Sequence, residues 1–419
     1  MARPHPPVRR AAVGPIPGLS GDARYSPPMD SERSVVMKRL DRLGWGSGAP
    51  AAPLTPVCLR DLWRPAAVFV GSRVAVLLAV AASMAAVPGS AFGGLLLRWD
   101  GSWYMTIVQG GYSRQVPHGA SNLGFFPLYP VVAWALARLP GLGSVDALVG
   151  VALVGGLVAT VLVWVLTHDL AGAEAADRAA ALFAFSPGAG VFSVAYSEGL
   201  FLAAAVGACL LLVRRSYLGA GVLCAAATAT RPNGLSLVAV AAVSAGLAVW
   251  ERREWRALIA PILAPLGVLA YFAYTWRHTG RFDAWYVAQH EGWNQSLDLT
   301  SAAGDVVHTV RTLVGDTPPD WNRVVPAVGL VLVAAGLVLL WRMAPPVELV
   351  VFTLAICASA ATSSDVGLRP RFVLTAFPLA IALGLWARRP LPFALVLGLS
   401  AAAMAAVTVV TSTSLYLTP

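Results

Sequence analysis

The sequence predicts an all-α polytopic membrane protein, a bundle of about eleven transmembrane helices with a long first extracytoplasmic loop. Three observations lead there. Of 419 residues, 57% are hydrophobic and only 12% charged, about half the ~25% charge of a soluble domain. Several apolar runs reach the roughly 20 residues that cross a hydrocarbon core, and none has the short alternating segments of a membrane barrel. Basic residues gather in the gaps between the runs, which is how topology is encoded. The net charge of +9 is therefore a topology signal rather than a nucleic-acid footprint.

Residues 1–60 are rich in Pro, Gly, Ser and Arg and have no apolar period, so they read as a disordered basic cytoplasmic tail. Residues 61–419 form the transmembrane domain. Its apolar runs fall at 66–88, 147–167, 178–192, 197–213, 217–230, 234–250, 257–276, 324–343, 346–361, 372–386 and 391–411. Residues 125–139 (FFPLYPVVAWALARL) read better as an interfacial helix than as a further span. With the tail inside, the inner turns carry Arg178, Arg214, Arg215, Arg252, Arg253, Arg256, Arg342, Arg388 and Arg389. The first 64 positions and these turns together hold 19 of the 30 basic residues. This threading predicts a plasma-membrane protein with a cytoplasmic N-terminus. It leaves 89–146 and 277–323 as long outer loops, with shorter outer turns near 186–197, 231–234 and 362–371. Loops of that length carry function more often than they merely connect. One lysine against 29 arginines reflects GC-rich coding, as in an actinobacterium-like source.

Cys58, Cys209, Cys224 and Cys357 show no metal-ligand or disulfide spacing. His118, His278, His290 and His308 fall in outer loops without i, i+4 pairing, so a divalent metal is not indicated and no cofactor is expected.

The unusual polar residues all fall on the predicted outer face. They are Arg98, Trp99 and Asp100 in the first loop with Tyr129 beyond them, Glu198 at the mouth of a span, Arg231 and Asn233 in the next turn, and Asp365, Arg369 and Arg371 in the last. Each has a bland alternative. Arg98 can snorkel while Trp99 and Trp103 form an aromatic belt, Glu198 can be a buried partner of Arg231, and Arg369 and Arg371 can be a surface pair. The segment RFDAWYVAQHEGWNQSLDL suits either a sugar ring or an interfacial helix. Jointly, two acids and several arginines at one membrane boundary can hold an anionic lipid headgroup and deprotonate a hydroxyl. The lack of a GxxxxGKS loop fits an outer-face enzyme whose donor is lipid-borne.

The blocks RWDGSWYMTIVQGGY, FFPLYP, FSPGAGVFSVAYSEGLF, ATRPNG and PRFVLTAFPL occur in the order and spacing of the GPI second-mannose transferase (PIG-V type) family, over about 98–380. The chain thus resembles the GT-C class of membrane glycosyltransferases. The resemblance implies transfer of a mannose from a polyprenyl-phosphate sugar to a glycolipid, polysaccharide or protein acceptor, by inverting displacement at the extracytoplasmic face. It implies Asp100 as the base, with Glu198, Arg231 and Arg371 in the same cavity. Gly101 stands where relatives often carry a larger or hydroxylated residue. The alternatives are a transporter or flippase of a lipid-linked sugar, or a non-catalytic assembly subunit. A transporter often repeats its halves, and the blocks do not recur.

Overall fold

The computed structural model describes residues 57–86, 92–116, 119–364 and 367–413. Most of the expected tail, and Asp365 and His118, lie outside the described residues. The described chain starts with a 3-10 turn, Leu59–Leu62, that runs into helix α1, Trp63–Ala86. The following α-helices are α2 (Phe92–Leu96), α3 (Asp100–Gly110), α4 (Leu128–Leu136), α5 (Ser144–Ala171), α6 (Ala173–Ala184), α7 (Glu198–Val213), α8 (Tyr217–Thr228) and α9 (Leu235–Arg252). Then come α10 (Ile259–Leu263), α11 (Leu266–Thr279), α12 (Ala284–Val287), α13 (Ser301–Leu313), α14 (Trp321–Arg342), α15 (Val347–Ala361), α16 (Pro370–Thr375), α17 (Pro378–Trp386) and α18 (Pro390–Thr413). Among the described residues the only β pairing is an isolated bridge, Leu297 to Ser363.

Six helical stretches are long and apolar enough to cross a membrane: Leu59–Ala85, Ser144–Ala171, Pro232–Arg252, Trp255–Thr279, Trp321–Arg342 and Pro390–Thr413. Three shorter apolar helices, α7, α8 and α15, add to the bundle, and the protein is a multi-pass membrane protein. The nine-residue α4 reaches about 14 Å at 1.5 Å per residue, too short to span.

Two expected runs are broken. The run 178–192 ends as α6 at Ala184, turns through Ser186-Pro187-Gly188, and resumes as a 3-10 helix, Ala189–Ser193. The run 372–386 divides into α16 and α17 before Pro378. Proline supplies no amide hydrogen and disfavours helix in the residue ahead of it, so both breaks have a local cause. A milder version separates α10 from α11 around Pro265.

The core is centred on α7. Helix α5 crosses it at Gly155 and Gly199, so closely that a Cβ on Gly199 would lie 2.3 Å from the Ala152 carbonyl oxygen. Small residues let backbones meet in this way. The large buried rings Phe192, Phe201, Phe352 and Phe377 fill the space beside the crossing. This contact fixes the first turn of α7, where Glu198 sits.

Candidate active site

Arg98 to Gly101 form a β-turn, closed by the Gly101 amide donating to the Arg98 carbonyl at 3.1 Å. Trp99 occupies its second position with φ 57° and ψ −120°, the II′ conformation normally given to glycine. A tryptophan held there costs roughly 1–3 kcal/mol, and such strain collects at functional sites. The turn launches α3 with Asp100 as its first residue.

Asp100 Oδ2 accepts a hydrogen bond from Arg371 Nη1 at 2.8 Å. Behind this pair, Arg231 Nη1 lies 2.7 Å from Glu198 Oε1 and donates to Ser197 Oγ at 3.0 Å. Ser197 Oγ also accepts from the Tyr104 hydroxyl at 2.8 Å. Phe372 carries both guanidinium groups on its ring, Arg371 at 4.8 Å and Arg231 at 5.9 Å from the centroid. The Tyr196 ring lies 5.5 Å from Arg371. Sequence positions near 100, 197, 231 and 371 thus meet at one end of the bundle.

The two acids differ in exposure: the Glu198 side chain is 0% exposed and that of Asp100 23%. Of the two, only Asp100 is open to solvent. Apart from Glu198 Oε1, which has its ion pair with Arg231, five buried polar atoms nearby have no hydrogen-bond partner: Trp99 Nε1, the Tyr196 hydroxyl, Glu198 Oε2, Arg231 Nε and Arg371 Nε. Buried polar groups are nearly always paired. Two of these orphaned donors belong to arginines, a side chain whose planar fork suits anionic partners.

A second layer holds the loops. The Tyr271 hydroxyl donates to the Leu123 carbonyl at 2.6 Å and Gln289 Nε2 to the Gly124 carbonyl at 2.9 Å. Trp103, Phe125 and Trp293 pack as an aromatic trio, with Trp293 edge-on to both. The segment expected either to face a sugar or to lie at the interface therefore packs its aromatic and amide groups on the first loop. The Leu128 amide donates to the Ala229 carbonyl at 2.9 Å, joining the FFPLYP block to ATRPNG.

Four expected site residues have other positions. Arg98 points away from the cluster, donating to the main-chain carbonyls of Thr411 and Ser412, so it caps the C-terminal end of α18. Tyr129 is fully buried, its hydroxyl spent on the Leu148 carbonyl at 2.8 Å and its ring packed on Tyr104; it supports the site from behind. Arg369 lies within electrostatic reach of Asp305, on the far side of Pro370 from Arg371. Asn233 sits in a 3-10 turn, Pro232–Gly234, where its carbonyl accepts the Ser236 hydroxyl.

Tyr104, Tyr196, Ser197 and Phe372 join the site without having been singled out in the sequence, though each lies inside a quoted block. Arg73 lies in none. It is buried in α1 and donates to the carbonyls of Ala184 and Ala189 and to Ser193 Oγ, at 3.2, 2.7 and 2.9 Å. Phe69 and Phe192 flank its guanidinium at 4.8 and 5.6 Å. It ties the end of α6 to the loop that delivers Ser197 and Glu198. A charge eleven residues into an apolar helix was the available signal.

Known proteins share parts of this chain. Residues 65–255 match the family model described as mannosyltransferase (PIG-V). The GPI alpha-1,6-mannosyltransferase 2 of Cricetulus griseus is 35% identical over 153 residues, covering 34% of this chain and 30% of the relative. The chain therefore matches under a third of that relative's length. Among solved structures, ArnT from Cupriavidus metallidurans bound to undecaprenyl phosphate is similar at TM-score 0.48 and 14% identity, over 78% of this chain and 61% of that one. The Archaeoglobus fulgidus oligosaccharyltransferase AglB, in complex with an inhibitory peptide and a dolichol-phosphate, is similar at TM-score 0.43 and 12% identity, over 82% and 56%. The matched segment contains Asp100, Glu198 and Arg231 with the blocks around them, and over that segment the chain is similar to the PIG-V mannosyltransferases.

Proposed function

We propose that the protein transfers a mannose from a polyprenyl-phosphate donor to a hydroxyl of a glycolipid, polysaccharide or protein acceptor, at the extracytoplasmic face of the plasma membrane. The observation that carries this reading is the pairing of the one accessible acid, Asp100, with Arg371 at 2.8 Å, beside a second arginine whose Nε is also unpartnered. The match of residues 65–255 to the mannosyltransferase (PIG-V) family model supports the sugar.

In the proposed step the donor phosphate lies against Arg231 and Arg371, whose planar forks suit phosphate oxygens. Asp100 takes the proton of the acceptor hydroxyl as that oxygen attacks the anomeric carbon. The bond from that carbon to the phosphate oxygen breaks with its electrons leaving on the phosphate, so one displacement inverts the configuration. The arginines stabilise the charge gathering on the leaving phosphate, the interaction that usually contributes most. Glu198, being buried, holds Arg231 in place and handles no proton.

The test is transfer by purified protein in nanodiscs supplied with labelled polyprenyl-phosphate mannose. Asp100→Asn should lower the rate by about 10²–10⁴, the range for loss of a general base, while donor binding persists. Arg371→Ala should chiefly weaken donor use. Undiminished transfer by Asp100→Asn would sink the base assignment, and transport of the donor without transfer would replace the enzyme reading with a carrier.

A further inference from the structure

Helix α13, Ser301–Leu313, has no fully buried residue, and its amphipathic pattern is turned inside out. Val307, Val310, Leu313 and Val314 at its outer side are 51%, 52%, 81% and 67% exposed. Ala303, Val307, Val310 and Val314 follow one another at helical spacing, so they form a single stripe. Asp305, His308 and Thr312 face the protein instead, while Arg311 is exposed at the edge of the stripe. The Asp320 amide donates to His308 Nε2 at 3.3 Å, and Thr312 meets Thr317 at 3.4 Å. Asp305 lies within electrostatic reach of Arg323, Arg369, Asp320 and His308, and burial raises its carboxyl above the ordinary value despite the two arginines.

An exposed apolar stripe over a polar underside needs an apolar cover. The chain on either side says which. Helix α13 sits between two candidate spans, Trp255–Thr279 and Trp321–Arg342, so both of its ends return to the same membrane surface. Rings at those ends are exposed, Trp276 by 59%, Phe282 by 79% and Trp321 by 56%, as in an interfacial aromatic belt. Arg277 and Arg311 are exposed beside them. An apolar face flanked by arginines fits the headgroup layer of a bilayer containing anionic lipid.

We propose that α13 is a monotopic element that lies in the membrane plane, its valine stripe sunk among the acyl-chain ends nearest the headgroups. Through its polar underside it reaches the chain that carries Arg371. The Leu297–Ser363 bridge, the Ser364 amide donating to the Ser296 carbonyl at 3.1 Å, and the proximity of Asp305 to Arg369 all tie this loop to Ser363, Ser364 and Arg369. Bilayer contact at α13 thereby steadies the segment leading into α16.

The test labels Val307→Cys and Val310→Cys separately with an environment-sensitive fluorophore, in a background where the exposed Cys58 is serine. The protein is reconstituted in nanodiscs of phosphatidylcholine and phosphatidylglycerol. Lipids brominated high on the acyl chain should quench both labels, and aqueous iodide should quench neither. Quenching by iodide alone would overturn the proposal by showing an aqueous face. Resistance to both quenchers would overturn it by showing a protein cover. The unlabelled protein supplies an independent reading: photoactivatable phosphatidylglycerol should crosslink within residues 301–314, and crosslinking confined to the spans would also overturn it.

Discussion

Trp99 and Glu198 show how much this site spends locally. At Trp99 the backbone and the ring can be separated by two substitutions. Trp99→Ala loses the ring and keeps the unfavourable φ of 57°, whereas Trp99→Gly loses the ring and relaxes the turn. The glycine variant should be the more stable by roughly 1 kcal/mol, read as a higher melting temperature in detergent, and equal stabilities would remove the strain argument. Glu198→Ala strands Arg231 in a pocket where its side chain is 10% exposed. Breaking a buried pair in this way costs about 3–5 kcal/mol, and Glu198→Ala combined with Arg231→Met should recover part of the loss. A single Glu198→Ala variant that melts like the parent would show the pair to be idle. The charged members of the cluster were legible in the sequence because an ionised group in an apolar chain needs a reason to be there. Ser197 and Tyr104 were not, since hydroxyls are common in such segments and their roles depend on who faces them. Arg73 escaped for a different reason: its partners are largely main-chain carbonyls, and these leave no trace in side-chain spelling.

Among the elements, close backbone approaches do the positioning. A Cβ on Gly188 would lie 2.2 Å from the Pro370 carbonyl oxygen, so the turn after α6 rests directly on the start of α16. Gly188→Ala should push Arg371 away from Asp100. A misplacement near 1 Å can cost on the order of 10²-fold in rate, so transfer should fall far more than thermal stability does. Loss of stability without a separate loss of rate would contradict that. Gly199→Ala presses on the Ala152 carbonyl at the α5–α7 crossing and should destabilise by about 1–3 kcal/mol, as overpacked cores do. The apolar runs placed most helices correctly because burial in lipid dictates their composition. The breaks at Pro187 and Pro378 were missed because averaging hydropathy over a window passes straight through a proline, although the residue that ends the helix is printed in the sequence.

At the scale of the whole molecule, the positive-inside threading sets the proposed orientation, and it can be checked directly. With Cys58 replaced by serine, Asp316→Cys in the second long loop should react with a membrane-impermeant maleimide on intact cells. Arg215→Cys in the turn after α7 should react only once the membrane is opened. The reverse pattern would put the site on the cytoplasmic side and end the case for a lipid-borne donor. What the sequence conveyed at this scale was the gathering of Asp100, Glu198, Arg231 and Arg371 at one boundary. The inward-facing polar side of α13 was hidden, because periodicity reports that a helix has two faces and not which of them meets the protein.

The cap that Arg98 places on α18 has a consequence in time. Arg98 and Thr411 are 313 residues apart in sequence, and α18, packed along α1, has only 11% of its apolar window buried. At about 5–20 residues per second, the first loop leaves the ribosome on the order of 15–60 s before its anchor is made. During that interval the Arg98–Gly101 turn has a strained tryptophan and lacks the α18 carbonyls that hold the arginine beside it. A chain cut before Thr411 would keep every residue of the proposed chemistry and still lack the anchor of its first loop, so that loop is finished only after α18 has been made.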